Sequence, residues 1–363
     1  MEPDKYTIKQ SPLFEAFEDG DYDRFCQLIK DGENINCVSV YGESLISNVV
    51  ENKFEIDNKQ NKKFFNKLMS LNVSLLHGKN ECDLLSTAIR FQPDIYYMKK
   101  LLEKGIKINS LSYFKDEEEY EGEFENDEDG VIVYGPSIYE AFLSLDSKKI
   151  DLLLKYKPDL EVCDSNRRPV LSFLILKKGY FKKLIDPYFP ILIENGASVF
   201  DTDLNGKQPI HYWALSNANK NIFNLLVKNK VNINAKDTYG NTPLMDAVLN
   251  DNYESVSILI KNNVDLNMQG KDGRTAMMLM AVDPLDINIP KGFINTNILN
   301  IFLSSKSNFL LCDNQSENIA HYVARCPYSI WDQETIKKFS KLFKKYPQLI
   351  SQKMMRGKLQ WIF

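Results

Sequence analysis

The chain has 363 residues, 44% of them hydrophobic and 26% charged, which is enough apolar material for a continuous core and rules out global disorder. A net charge of −4 and a pI near 5.6 exclude a general nucleic-acid binder, which would be basic. Three histidines and six cysteines (Cys26, Cys37, Cys82, Cys163, Cys312 and Cys326) without a C-x-x-C pair give no zinc spacing, so the cysteines are expected to be free, buried or half-buried thiols in a reducing compartment.

In chain order, the opening "MEPDKYTIKQ" has no basic stretch followed by an apolar run, so no signal peptide is expected. No stretch approaches the ~20 apolar residues of a membrane helix, and no membrane insertion is expected. The expected location is the cytoplasm, or a host cell reached without a classical signal. A first helix pair falls in 11–37. A second, 41–75, opens on "YGESLISNVV" and closes on "FFNKLMSLNVSL", with an insertion at 51–62 between its helices. A third occupies 83–109. Then comes "FKDEEEYEGEFENDEDG", the acidic insertion 114–130, with ten carboxylates between Asp116 and Asp129. A block of like charge reads as a solvated loop; its functional reading is a negative finger that steers toward a basic partner, with Tyr120 and Phe124 as aromatic anchors. Further pairs follow at 135–162, at 164–200 with an insertion at 176–188, at 202–235, at 236–268, at 270–311 with an insertion at 283–295, and at 312–350. The segment 334–363 reads as a C-terminal cap: it has no acidic residue from 337 onward, it offers Phe339, Leu342 and Phe343 as one face to bury, and Trp361, Ile362 and Phe363 are expected to fold back on it.

The clearest copies are "TDLNGKQPIHYWA", "KDTYGNTPLMDAV" and "GKDGRTAMMLMA", whose glycines Gly206, Gly240 and Gly273 are 34 and 33 residues apart. Asp237 and Gly240 shape a turn. Thr242 suits a helix N-cap and Pro243 the first helical position. Leu225, Leu226, Ile258, Leu259 and Ile260 on the second helices have no partner inside their own unit, so they are expected to pack on the next one.

This pattern resembles the ankyrin repeat, whose signature is Asp-x-x-Gly-x-Thr-Pro-Leu-His-x-Ala at a period near 33. The resemblance implies a mostly α-helical ankyrin-repeat solenoid of about nine helix–turn–helix units in a single domain, with short β-hairpin-like fingers. It implies that His211 and His321 hydrogen-bond the neighbouring turn, and that Trp213, where the family prefers Ala, loosens or rearranges the packing. It also implies partner binding on the concave face of fingers and first helices. By position, the exposed finger residues there are Leu204, Asn205, Lys207, Thr238, Tyr239, Asn241, Lys271, Asp272 and Arg274, with Tyr41 in an earlier finger; Tyr239 and Tyr41 are the expected anchors.

"DTDLNG" at 201–206 mimics a calcium loop, but the twelfth position is Tyr212 rather than Glu, and Pro209 starts a helix inside it. No phosphate-binding glycine loop, dinucleotide fingerprint, zinc-protease helix or Ser/Cys–His–Asp context occurs. The expectation is therefore a non-enzyme with no cofactor and no metal, a protein–protein interaction module, monomeric, with no nucleic-acid partner. Its role is expected to be that of an immunity- or inhibitor-type protein covering a basic toxin or enzyme, or alternatively a host-directed effector. The alternative from another class is an enzyme with an unrecognised site in the divergent 51–135 region.

Overall fold

The computed structural model describes residues 10–39, 42–75, 84–109, 111–115, 131–164, 166–176, 183–216, 220–281, 296–325 and 332–350. The chain divides into two compact units, Met1–Asn166 and Arg167–Phe363. In a repeat array each helix pair touches only its sequence neighbours, so the chain can resolve into more than one compact run of pairs.

In the first unit, helices α1 (Pro12–Glu18), α2 (Tyr22–Lys30), α3 (Leu45–Glu51), α4 (Asn58–Met69), α5 (Leu84–Phe91), α6 (Tyr96–Glu103), α7 (Ser137–Leu143) and α8 (Ser147–Lys155) alternate as inner and outer members of successive pairs. The inner helices α3, α5 and α7 pack in sequence. Helices α1, α2, α3, α4 and α8 start on side-chain caps: Ser11, Asp21, Ser44, Asp57 and Asp146 each accept a hydrogen bond from a backbone N–H of the first turn. The 51–62 insertion is shorter than expected. Asp57 accepts from the N–H groups of Lys59 and Gln60, and α4 begins at Asn58. Between α6 and α7, strands β1 (Leu111–Lys115) and β2 (Val131–Pro136) pair antiparallel, with Tyr113 opposite Val133 and Lys115 opposite Val131. The acidic stretch 116–130, with Tyr120 and Phe124, lies outside the described residues, as does Tyr41.

The second unit continues the scheme with α9 (Val170–Leu176), α10 (Ile185–Glu194), α11 (Pro209–Leu215), α12 (Lys220–Lys228), α13 (Pro243–Leu249), α14 (Tyr253–Lys261), α15 (Ala276–Met280), α16 (Thr296–Ser304), α17 (Ile319–Arg325) and α18 (Gln333–Lys345). Inner helices α9, α11, α13, α15 and α17 contact one another in order; outer helices α10, α12, α14, α16 and α18 form the second layer. Helix α10 starts at Ile185, with Ile185 and Tyr188 buried, so residues 185–188 belong to the helix rather than to an insertion. The 283–295 insertion lies outside the described residues. The buried stripe of the outer helices is Ile222, Phe223 and Leu226 on α12 and Val256 and Leu259 on α14, at i, i+3 and i+4 spacing. Leu225, Ile258 and Ile260 sit at its half-buried margin instead. Trp213 is fully buried and packs against Phe223 at 4.7 Å between ring centroids, so an aromatic pair fills the space that a small residue would leave. On α18 the buried face includes Phe339, Leu342 and Phe343, while Lys337, Lys341, Lys344 and Lys345 are exposed.

The Asn-rich turns have a repeated task. Asn36, Asn109, Asn234 and Asn267 each accept, through the side-chain oxygen, the backbone N–H of the corresponding turn one pair further on: Ser74, Asp159, Asp265 and Asn308, at 2.7–3.1 Å. Asn252 closes another seam, donating to the carbonyls of Ala214 and Ser216 at the end of α11, both at 3.0 Å. The asparagines thereby tie exposed turn to exposed turn, and Asn252 satisfies carbonyls at the end of α11 from the neighbouring pair.

Candidate functional site

In the second unit the fingers preceding α11, α13, α15 and α17 form a ladder of main-chain hydrogen bonds. Thr238 donates to the Asn205 carbonyl at 2.8 Å, Lys271 to that of Tyr239 at 3.1 Å, and Asn314 to that of Asp272 at 3.0 Å. The fingers come so close that a Cβ built on Gly240 would stand 2.6 Å from the Lys271 nitrogen, and Gly240 also has a φ of +76°. Only glycine meets both demands.

Three of the four fingers open on an aspartate that locks its own turn. Asp203 accepts the N–H groups of Asn205 and Lys207, Asp237 those of Tyr239 and Asn241, and Asp313 those of Gln315 and Glu317, all at 2.8–2.9 Å. The residue nine positions on, in the inner helix, completes the lock. Tyr212 donates its hydroxyl to Asp203 at 2.6 Å, and Tyr322 donates to Asp313. In the second finger the residue nine on is Asp246, a second acid facing Asp237. Lys207 reaches over from the preceding finger and binds both, at 2.6 Å to Asp246 and 3.4 Å to Asp237. Both carboxylates are buried, and burial together with Asp237 and Asp203 pushes Asp246 up to about 6 against the pull of Lys207. Lys207 is therefore turned inward, with its side chain only 17% exposed, and is a structural cation rather than the exposed finger residue that its position suggested.

His211 lies beside this cluster. Its Nδ1 accepts the Gln208 N–H at 3.1 Å and its Nε2 lies 3.2 Å from the Ala235 carbonyl, in the next finger. Burial first, and then Lys207, lower it to about 4, so it is neutral at physiological pH and donates to that carbonyl. His321 makes the first of these contacts, accepting from Asn318 at 3.2 Å.

The third finger breaks the rule. It opens on Gly270, and the residue nine on is Leu279. Without the Asp–Tyr pair a space of about 380 Å³ remains, lined by Tyr239, Asn241, Leu249, Gly270, Lys271, Asp272, Arg274 and Leu279. Five of the residues singled out from the sequence meet here: Tyr239, Asn241, Lys271, Asp272 and Arg274. Tyr239 is 57% exposed, and Lys271 and Asp272 are exposed, while Asn241 and Arg274 are half-buried. Leu204 and Asn205 stand exposed at the preceding fingertip, and Thr238, also exposed, donates its hydroxyl to the Asn205 carbonyl. Sequence reading missed Leu249, Gly270 and Leu279. The signal available for two of them was the broken Asp-and-nine pattern at Gly270 and Leu279.

The carboxylate of Asp203, part of the calcium-loop mimic, is taken up by internal hydrogen bonds. Among the described residues no cluster of three or more His, Cys, Asp or Glu could hold a metal ion. Cys26, Cys37 and Cys163 are half-buried and in no disulfide, while Cys312 is exposed, contrary to the buried or half-buried setting expected of it. Among the described residues no helix is long and apolar enough to cross a membrane.

Residues 146–270 match the family model for ankyrin repeats (3 copies). The paired helices, the glycine-turned fingers at Gly206 and Gly240 and the Thr242–Pro243 helix start lie in or beside this stretch, and over these residues the chain carries ankyrin repeats. Ankyrin repeats are typically non-catalytic and generally mediate protein–protein interaction. No curated protein matches the sequence.

Proposed function

We propose that this chain is a non-catalytic binding protein that docks a partner protein on the groove between the second and third fingers and helices α13 and α15. The observation that carries the reading is the interrupted lock at Gly270 and Leu279. It leaves a recess bordered by exposed Tyr239 and by partly exposed Leu249 and Leu279, a combination of rigid aromatic and aliphatic surface suited to a protein contact. The test is a photo-crosslinking residue placed at position 239 of the full chain in its native host, with position 253 as the control. Tyr253 is also exposed, at 43%, but lies on outer helix α14. A discrete adduct from 239 and none from 253 is expected; the reverse would remove the groove from the account.

The ten carboxylates at 116–129, between two paired strands, support a second contact with a basic protein. An immunity- or inhibitor-type protein covering a basic toxin or enzyme fits that contact, whereas a host-directed effector would use the same groove without requiring it. Association that slows when 116–130 is removed, and slows with added salt, is the expected result; an unchanged rate would sink this role.

A further inference from the structure

The groove's lining narrows the chemistry of its occupant. This step rests on the groove being the docking surface. The Asn241 side-chain amide has no hydrogen-bond partner among the described residues and offers a donor and an acceptor side by side, the pairing that an extended peptide backbone matches. Lys271 and Arg274 form no ion pair among the described residues, and the Arg274 Nε is buried without an acceptor. Arg274 helps hold the Asp313 carboxyl below its ordinary value without forming an ion pair with it, and the hydrogen bonds of the nearby acids go to other groups. Asp313 accepts from Tyr322 and two backbone N–H groups, and Glu317 pairs with Arg325 at 2.7 Å. Arg274 rests 5.6 Å from the centre of the Tyr322 ring. Asp272 is the one carboxylate in the lining, against two cations.

We infer that the groove takes an extended segment of a partner protein in which an apolar side chain, seated on Leu249 and Leu279, lies within a few residues of an acidic one that pairs with Lys271 and Arg274. The volume of about 380 Å³ suits one or two side chains rather than a folded surface. A guanidinium held against a ring is pre-organised for a carboxylate, and partial burial strengthens the pairing over its value in water.

The experiment uses the full-length protein and a phage-displayed library of random dodecapeptides, with selected peptides resynthesised and their affinities measured at low and high salt. Enriched peptides should place Leu, Ile, Phe or Tyr close to Asp or Glu, and should lose about tenfold in affinity to Lys271→Glu and to Arg274→Gln, and also at high salt. Lys271 is exposed, so its variant tests the charge without disturbing the fold; thermal melts check both. Peptides without an acidic residue, or indifferent to both charge variants, overturn the inference. If such peptides still fail to bind the double variant Gly270→Asp/Leu279→Tyr, which fills the recess, the docking groove survives and only the acidic occupant falls. Peptides indifferent to that double variant as well, or a library yielding no binder, overturn the groove itself.

Discussion

Asp246 and His211 lie in one buried cluster with Lys207 and Asp237, and their titrations bear on stability in opposite directions. Asp246 has an ordinary value of 3.8 in the unfolded chain and about 6 in the fold, so the folded state holds the extra proton between them. The stability from this group is full below about 4 and is lost as the pH rises through about 6. His211 does the opposite. Lowered from 6.5 to about 4, it contributes stability that is present above 6.5 and is lost as the pH falls through about 4. The two contributions offset each other over one window, so removing either exposes the other. Relative to wild type, Asp246→Asn should gain up to about 3 kcal/mol as the pH rises from 4 to 7, and His211→Gln should gain a similar amount as it falls. Urea unfolding at a series of pH values reads these slopes, apart from any constant offset due to lost contacts. Parallel curves for wild type and both variants would show that the cluster is not coupled in this way.

At the scale of elements, each finger and its inner helix are joined by the residues at the finger's start and nine positions on. Asp203 pairs with Tyr212 and Asp313 with Tyr322, Asp237 and Asp246 share Lys207, and Gly270 faces Leu279. An aspartate at 270 alone would turn one carboxylate oxygen toward Leu279, and a tyrosine at 279 alone would find no acceptor. Together they rebuild the neighbours' lock. A Cβ at Gly270 would meet its nearest neighbours at 3.6–3.8 Å, ordinary contact, so the substitution fits. A double-mutant cycle on Gly270→Asp and Leu279→Tyr should give a favourable coupling of about 1–2 kcal/mol, read from denaturation midpoints; additive effects would contradict the lock. Much of this level was legible in the sequence. The 34- and 33-residue glycine spacing placed the fingers, and Thr242 caps α13 by accepting the Met245 N–H at 3.4 Å, with Pro243 next in line. The direction of Lys207 was not legible, because the ion-pair partner that turns it inward, Asp246, is 39 residues away. Nor was the start of α4 or α10, where Asp57 and the buried Ile185 begin a helix inside stretches that read as insertions.

At the scale of the whole molecule, charge is segregated along the chain. Ten of the 49 acidic residues fall within 116–129, so the other 39 are outnumbered by the 45 basic residues. The slight overall acidity therefore describes neither the insertion nor the rest of the protein, and salt should weaken two contacts of opposite charge: the encounter at the acidic insertion, and the grip of Lys271 and Arg274 in the groove. The account stands or falls on the groove. The most direct measurement is the equilibrium affinity of the full-length chain for its crosslinked and identified partner, compared with that of Tyr239→Ala and of Gly270→Asp/Leu279→Tyr, with folding of each verified by its melt. The account predicts a loss of about 2 kcal/mol or more for each variant, some thirtyfold in Kd. Wild-type affinity in the double variant, with its groove filled and its fold intact, would contradict it.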